Sequence, residues 1–128
     1  MTDLPYKNNS FDMVVSNLAI DHVKNLNKAF KEMIRVCKKK GHIIVSTIHP
    51  DGKKGLRDAE FQANDVLVLM PKYDRPVSEY MELLNRNGAL IKKTRNIMVS
   101  GIFKKKNPQA YNSLKAKNFI LLIKAQKI

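Results

Sequence analysis

The 128-residue chain opens with a turn signal, Asn8-Asn9-Ser10, and then an apolar run over residues 11–19. Met13, Val14, Val15 and Leu18 leave neither side of that run polar, the pattern of a strand covered on both faces in a parallel sheet. From Leu26 the period changes. Leu26, Ala29, Phe30, Met33, Val36 and Cys37 recur at steps of three and four, one apolar stripe on a helix, with Lys28, Lys31, Glu32 and Arg35 off it. Asn25-Leu26-Asn27 supplies capping residues at its start. Gly41 is the predicted stop, after Lys38, Lys39 and Lys40, whose charges suit the negative end of a helix dipole. Residues 43–48 (Ile-Ile-Val-Ser-Thr-Ile) then read as a second covered strand, ended by His49-Pro50. Strand, helix and strand in this order make a βαβ unit. Such a crossover is almost always right-handed, with parallel strands and the helix on one face.

The remainder is less regular. Gly52, Gly55 and their neighbouring cations predict an exposed loop, and residues 66–70 a short strand. Pro76 suits the first position of a helix whose stripe is Val77, Tyr80, Met81 and Leu84, closed by Asn87-Gly88. Strands are expected over 89–99 and 119–125, separated by a Lys/Asn/Pro loop. Alternating Lys in the last strand predicts one wet face. The order β-α-β, loop, α-β, loop, β is that of an α/β fold.

Composition narrows the classes. Hydrophobic residues at 44% exclude a wholly disordered chain. A lone Cys37 excludes an internal disulfide framework, and three histidines with one cysteine show no metal-ligand spacing, so no metal is expected. No apolar stretch reaches the roughly 20 residues that span a bilayer. No secretory pattern opens the chain, and a soluble, cytoplasmic protein is expected. With 24 Lys+Arg against 11 Asp+Glu the net charge is +13. The cations fall in short runs at 38–40, 53–54, 92–93 and 104–106, and the aromatics do not interleave with them as stacking platforms. Two readings stay open on charge alone: a solvated Lys-rich surface, or a basic module for nucleic acid or another polyanion. Gly52-Lys53-Lys54-Gly55 has the GxxG form of one RNA-binding module, but its flanks do not fit that fold.

Five segments in order carry a family resemblance. Leu4-Pro5-Tyr6, a polar turn, then Ser10-Phe11-Asp12 and an apolar run resembles the entry to strand four of class I S-adenosylmethionine-dependent methyltransferases of the small-molecule branch. Asn17-Leu18-Ala19-Ile20-Asp21-His22-Val23 resembles the segment after that strand, and Glu32-Met33-Ile34-Arg35-Val36 the family's Glu-x-x-Arg-Val helix. Thr47-Ile48-His49-Pro50 and Pro76-Val77-Ser78-Glu79-Tyr80 are similar to the exit of strand five and a later helix. Residues 38–40 depart from the pattern, which usually reads Lys-Pro-Gly there. The resemblance implies one domain over 1–128, a partial Rossmann-like sheet equivalent to the family's strands four to seven, without the N-terminal half that carries the cofactor loop.

It also implies S-adenosylmethionine as cofactor and a small-molecule methyl acceptor as partner. The family's glycine-rich loop lets backbone approach the cofactor, and an acidic strand end holds its ribose. No two of the five glycines here are separated by one residue. The isolated chain is therefore expected to be inactive and not to bind cofactor. In open α/β sheets ligands bind beyond the carboxyl ends of the strands. That places Ser16, Asn17 and Leu18 as candidate cofactor contacts, with Asp3 beside the family's adenine-contacting position. His22 and His49 are candidate catalytic groups, and Tyr73 and Arg75 candidate substrate contacts. Phe11, Asp12 and His42 open their strands, at the wrong end for chemistry. In the family, strand one pairs with the strand equivalent to Asp12–Leu18, so self-association or pairing with a partner chain through that edge is expected. A non-catalytic subunit that completes a methyltransferase partner's sheet is a further alternative.

Overall fold

The structure is a computed structural model, and it describes residues 1–53 and 60–128. Its centre is a four-stranded sheet in the order β1-β2-β6-β5, formed by β1 (Phe11–Asn17), β2 (Cys37–Ile48), β5 (Ala89–Ile97) and β6 (Ile120–Lys127). β1 and β2 are parallel, with Val14 opposite Ile43 and Ser16 opposite Val45. β6 runs antiparallel to both of its neighbours, β2 and β5. Helices α1 (Leu26–Val36) and α3 (Val77–Arg86) cover one face. There Phe30, Met33, Tyr80 and Leu84 pack against Ile43, Val45, Leu121 and Ile123 in a single core. The predicted α/β class and the parallel βαβ unit both hold.

α1 begins as the sequence predicts: the Asn25 side chain accepts from the Lys28 N–H at 2.9 Å. Its end corrects the prediction. The helix stops at Val36, four residues before Lys40, because Cys37 is extended (φ −74°, ψ 139°) and enters β2. Asn9 and Ser10, in the turn before β1, donate their N–H groups to the carbonyls of Arg35 and Val36. The helix is thus capped by another segment, without a glycine. Lys38–Gly41 instead bulge out of β2, between the pairs Phe11–Cys37 and Met13–His42. The left-handed residue is Lys40 (φ 63°). Gly41 answers a different need, close approach: a Cβ there would lie 2.7 Å from Cys37 Sγ and 2.8 Å from the Asp12 and Lys38 carbonyl oxygens. Cys37 itself is the C-cap, fully buried, and burial pushes its thiol pKa up.

Three loop predictions are also corrected. Pro50–Lys53 forms the short helix α2, and Gly52 within it is buried against Asn118 and Phe119. Gly55 lies outside the described residues. The expected strand after it exists as β4 (Val66–Leu69), paired with a missed strand β3 (Glu60–Ala63) in an antiparallel hairpin. The Lys/Asn/Pro stretch holds α4 (Gly101–Lys106) and α5 (Pro108–Leu114). Both have ordinary start signals, Ser100 capping Phe103 N–H and Asn107 capping Ala110 N–H ahead of Pro108. Pro76 is the N-cap of α3, one residue before the first turn, and Gly88 (φ 92°) follows its end. In β6, Leu121, Ile123 and Ala125 are buried and Lys124 is exposed, the predicted single wet face. β1 departs from the fully covered strand its composition predicts. It is a sheet edge, with Met13 52% and Val15 59% exposed.

Candidate functional site

The carboxyl ends of the parallel strands β1 and β2 lie side by side and gather most of the candidate residues. Asn17 Oδ1 accepts from the Ser46 hydroxyl at 2.5 Å, and Leu18 N–H donates to the Ser46 carbonyl at 2.9 Å. Leu18 takes a left-handed φ of 52°, which turns the chain out of the sheet. For a leucine this conformation carries strain of about 1 kcal/mol or more, which local bonding must hold. Ser16 is buried and its hydroxyl has no hydrogen-bond partner. A groove of about 390 Å³ runs beside β1 on the α1 side, lined by Val14, Ser16, Asn17, Ala19 and Met33, among others.

Beyond Leu18 a single 3-10 turn (Ile20–His22) is held from below by a buried polar hub. The Asp21 carboxylate, 4% exposed, accepts the Thr47 hydroxyl at 2.5 Å and the Ile48 N–H at 3.3 Å on one oxygen. Its other oxygen accepts the Tyr80 hydroxyl at 3.0 Å. Burial, then the Asp21 charge, pushes the Tyr80 pKa well above its ordinary value, so it stays a donor. One carboxylate thus ties the post-β1 turn to the end of β2 and to α3. Sequence reasoning missed this trio as a unit. The available signal was an acidic residue inside the apolar run Leu18–Val23.

The two candidate histidines differ in hydrogen bonding. His22 Nδ1 faces the Pro71 carbonyl oxygen at 2.8 Å. A carbonyl can only accept, so Nδ1 carries the proton, and in the neutral ring Nε2 keeps its lone pair. His49 is buried, and its Nδ1 accepts the Asp51 N–H at 3.1 Å, with Asp51 Oδ2 at 3.4 Å. Its neutral ring therefore carries the proton on Nε2 and presents a donor. Tyr73 N–H donates to the Asp21 carbonyl, bringing that residue to the same turn. The Arg75 guanidinium stacks over Tyr73 at 5.2 Å and donates to the Val23 and Lys24 carbonyls at 2.6 and 3.0 Å. It therefore fastens the start of α1. Asp3 is exposed, does not line the groove beside Ser16, and lies near enough to Arg35 for its charge to favour the guanidinium.

The Glu-x-x-Arg pair explains how the N-terminal segment is placed. Arg35 grips Glu32 with Nε and Nη2, at 2.8 and 2.9 Å. Its remaining N–H groups reach the Tyr6 and Leu4 carbonyls and Asn8 Oδ1. Glu32 also accepts the Leu4 N–H at 2.9 Å. The Arg35 and Leu4 hydrogen bonds lower the Glu32 pKa to about 2.

Residues 1–45, which contain this clamp, β1 and α1, match a family model described as a methyltransferase domain. The malonyl-[acyl-carrier protein] O-methyltransferase of Gallionella capsiferriformans is 46% identical over 56 residues, 44% of this chain and 19% of that protein. The protein of the same name from Methylovorus sp. is 44% identical over 61 residues, 48% of this chain and 21% of its own length. The solved S-adenosylmethionine-dependent methyltransferase of Mesorhizobium loti superposes on 98% of this chain with a TM-score of 0.74 at 19% identity. The chain has the fold of S-adenosylmethionine-dependent methyltransferases, and its first 45 residues resemble the methyltransferase-domain family. A second methyltransferase of this kind, from Methanosarcina mazei, superposes on 99% of the chain with a TM-score of 0.67 at 16% identity. This methyltransferase-like chain spans 66% and 64% of those two structures, and its matched stretch about a fifth of the curated proteins. Among the described residues, no helix is long and apolar enough to cross a membrane.

The residues present fit one wall of an S-adenosylmethionine site. An unpartnered buried hydroxyl at Ser16, the Asn17 amide and the turned-out Leu18 backbone offer polar contacts at the strand end. The sequence contains no Gly-x-Gly turn to form an opposing wall.

Proposed function

We propose that this chain forms one wall of the donor–acceptor crevice of a cytoplasmic methyltransferase that passes a methyl group from S-adenosylmethionine to a small or carrier-bound acid. The observation that carries the reading is the β1–β2 strand end, whose β1 side lies within residues 1–45, the stretch that matches the methyltransferase-domain family. The names of the curated relatives support a carboxylate oxygen as the acceptor. The donor, when bound, supplies an already activated methyl group, so the protein's task is chiefly orientation. Fixed orientation of two reactants is worth about 7–11 kcal/mol of barrier. In this reading Ser16, Asn17 and Leu18 hold the donor's side of the crevice. His22, with its Nε2 lone pair, is the better placed of the two histidines to accept a proton or orient an acceptor. His49, with a proton on Nε2, suits a hydrogen bond to an acceptor oxygen. Tyr73 closes over the turn that Asp21 holds.

The same reading predicts that the 128 residues alone do not retain the donor, since one wall cannot enclose it. Calorimetry with S-adenosylhomocysteine tests this: no heat of binding is expected at micromolar concentration, and saturable micromolar binding refutes it. The alternative of a basic nucleic-acid module is not favoured. Its cations lie on the β2 bulge, on β5 and on α4, and Lys38 is paired with Asp12 at 2.9 Å.

A further inference from the structure

A cavity of about 480 Å³ lies between the start of α1 and α3, and shares no lining residue with the groove beside Ser16. That size is within the range of roughly 300–1,000 Å³ typical of small-molecule sites. Leu26 and Leu83 give it an apolar side, and Lys24, Asn25, Asn27, Arg75 and Glu79 a polar one. Several donors there are unused. The first intrahelical bond of α1 runs from the Ala29 N–H to the Asn25 carbonyl, and the Asn25 side chain takes the Lys28 N–H. The N–H groups of Leu26 and Asn27 are therefore left over, at the positive end of the helix dipole. Lys24 is exposed beside them. Arg75 adds what an ordinary helix start lacks. Its side chain is only 8% exposed, and Nη2 is taken up by the Val23 and Lys24 carbonyls. Nη1 is buried and has no hydrogen-bond partner. A buried donor on a charged group is costly to leave unpaired, so its vacancy calls for an acceptor.

Glu79 is the one acid among the described residues that line the cavity. Its carboxylate stands 3.5 Å from Arg75 Nε, at the long limit of a hydrogen bond, and its side chain is 41% exposed. It holds the guanidinium loosely and is free to turn into solvent. We infer that this cavity binds the phosphate group of a small molecule. A tetrahedral oxyanion offers three terminal oxygens, and the donors here come from three sources: the helix start, the Lys24 ammonium and the Arg75 guanidinium. A planar carboxylate, with two oxygens, uses fewer of them. The phosphate takes the place of the Glu79 carboxylate on the guanidinium and gives Nη1 its acceptor. Leu26 and Leu83 are left to any organic part of the molecule. The inference is independent of the methyl donor, of the acceptor and of whether transfer occurs.

The test titrates the full chain, isotopically labelled for NMR, with inorganic phosphate, phenyl phosphate and benzoate. Both phosphates are expected to shift the Leu26 and Asn27 amides and the Arg75 Nε–H saturably, with a Kd of about 1 mM or below. The tighter of the two tells an ester from the free ion as the source of the phosphate. Benzoate is expected to bind about tenfold more weakly. Arg75→Lys keeps the charge without the planar fork, and is expected to weaken phosphate about tenfold. That variant also gives up the Val23 and Lys24 carbonyls, so two substitutions at more exposed side chains carry the test if it unfolds. Lys24→Gln is expected to weaken binding about threefold, and Glu79→Gln, by removing the competing carboxylate, to strengthen it about threefold. Four results overturn the proposal. One is no saturable shift at Leu26 and Asn27 by about 20 mM phosphate, which leaves Nη1 to the Tyr73 ring 5.2 Å from the guanidinium carbon. Another is shifts of equal size at Lys93 and Lys124, which assigns the effect to the net charge of +13. The third is benzoate binding as tightly as phosphate. The last is a Glu79→Gln variant that binds phosphate no better than the parent.

Discussion

Replacing Tyr80 by Phe isolates one hydrogen bond in the buried hub below the candidate site. Tyr80 is fully buried, and its ring meets Phe30 edge-on with centroids 6.5 Å apart, a contact that phenylalanine keeps. What is lost is the hydroxyl that donates to Asp21 Oδ1 at 3.0 Å. A hydrogen bond to a charged group contributes about 1.5–3 kcal/mol, and the carboxylate that would lose it is buried. We expect Tyr80→Phe to destabilise the chain by about 2 kcal/mol, which for this length lowers Tm by roughly 6–10 °C. Urea unfolding of the parent, Tyr80→Phe, Asp21→Asn and the double variant should give a coupling energy of about 1–2 kcal/mol. The pH dependence is a second readout. The folded-state pKa of Tyr80 is raised above its ordinary value of 10.0, so its contribution is complete below pH 10 and declines as the unfolded chain ionises above it. The stability gap between parent and Tyr80→Phe should therefore narrow above pH 10. A Tyr80→Phe variant within about 0.5 kcal/mol of the parent, uncoupled to Asp21, would refute the hub as a stabilising unit.

Three further predictions follow from the same geometry. Gly41→Ala pushes a methyl group into the Cys37 sulfur and two backbone carbonyls, and should cost about 1–3 kcal/mol by denaturant unfolding, although the backbone φ there suits alanine. The Glu32 pKa is lowered from 4.5 to about 2, so its support of the N-terminal segment is complete above pH 4.5 and is lost as pH falls toward 2. Glu32→Gln should lower the protection of the Leu4 amide, measured against its intrinsic exchange rate, at neutral pH, where the parent loses that protection only in acid. Cys37, buried and with a raised pKa, should react with a thiol reagent only on unfolding. Stoichiometric labelling of the folded chain within minutes would contradict its place in the core.

The sequence by itself determined the elements whose cause is local. The apolar runs located β1 and β2, the period-3.6 stripes α1 and α3, and the alternation of Lys with apolar residues β6, although the composition of β1 did not foretell its exposed edge. The Asn25 cap and the Asn87-Gly88 stop were legible for the same reason: each satisfies backbone groups within a few residues. The candidate strand ends at Ser16–Leu18 and Thr47–His49 were legible once the βαβ order fixed the strand direction. α4 and α5 carried equally local signals in Ser100 and Asn107-Pro108, obscured by the lysines of α4 and those that follow α5. Other features needed contacts between distant segments. The helix ends at Val36 and not at Gly41 because Asn9 and Ser10 reach its last carbonyls, and Gly41 is needed by the proximity of Asp12. Asp21, Thr47 and Tyr80 are separated by 26 and 59 residues, and only folding puts their oxygens within hydrogen-bond reach. The tautomers of His22 and His49 were likewise decided by Pro71 and Asp51: the Pro71 carbonyl needs a proton on His22 Nδ1, and the Asp51 N–H needs a lone pair on His49 Nδ1.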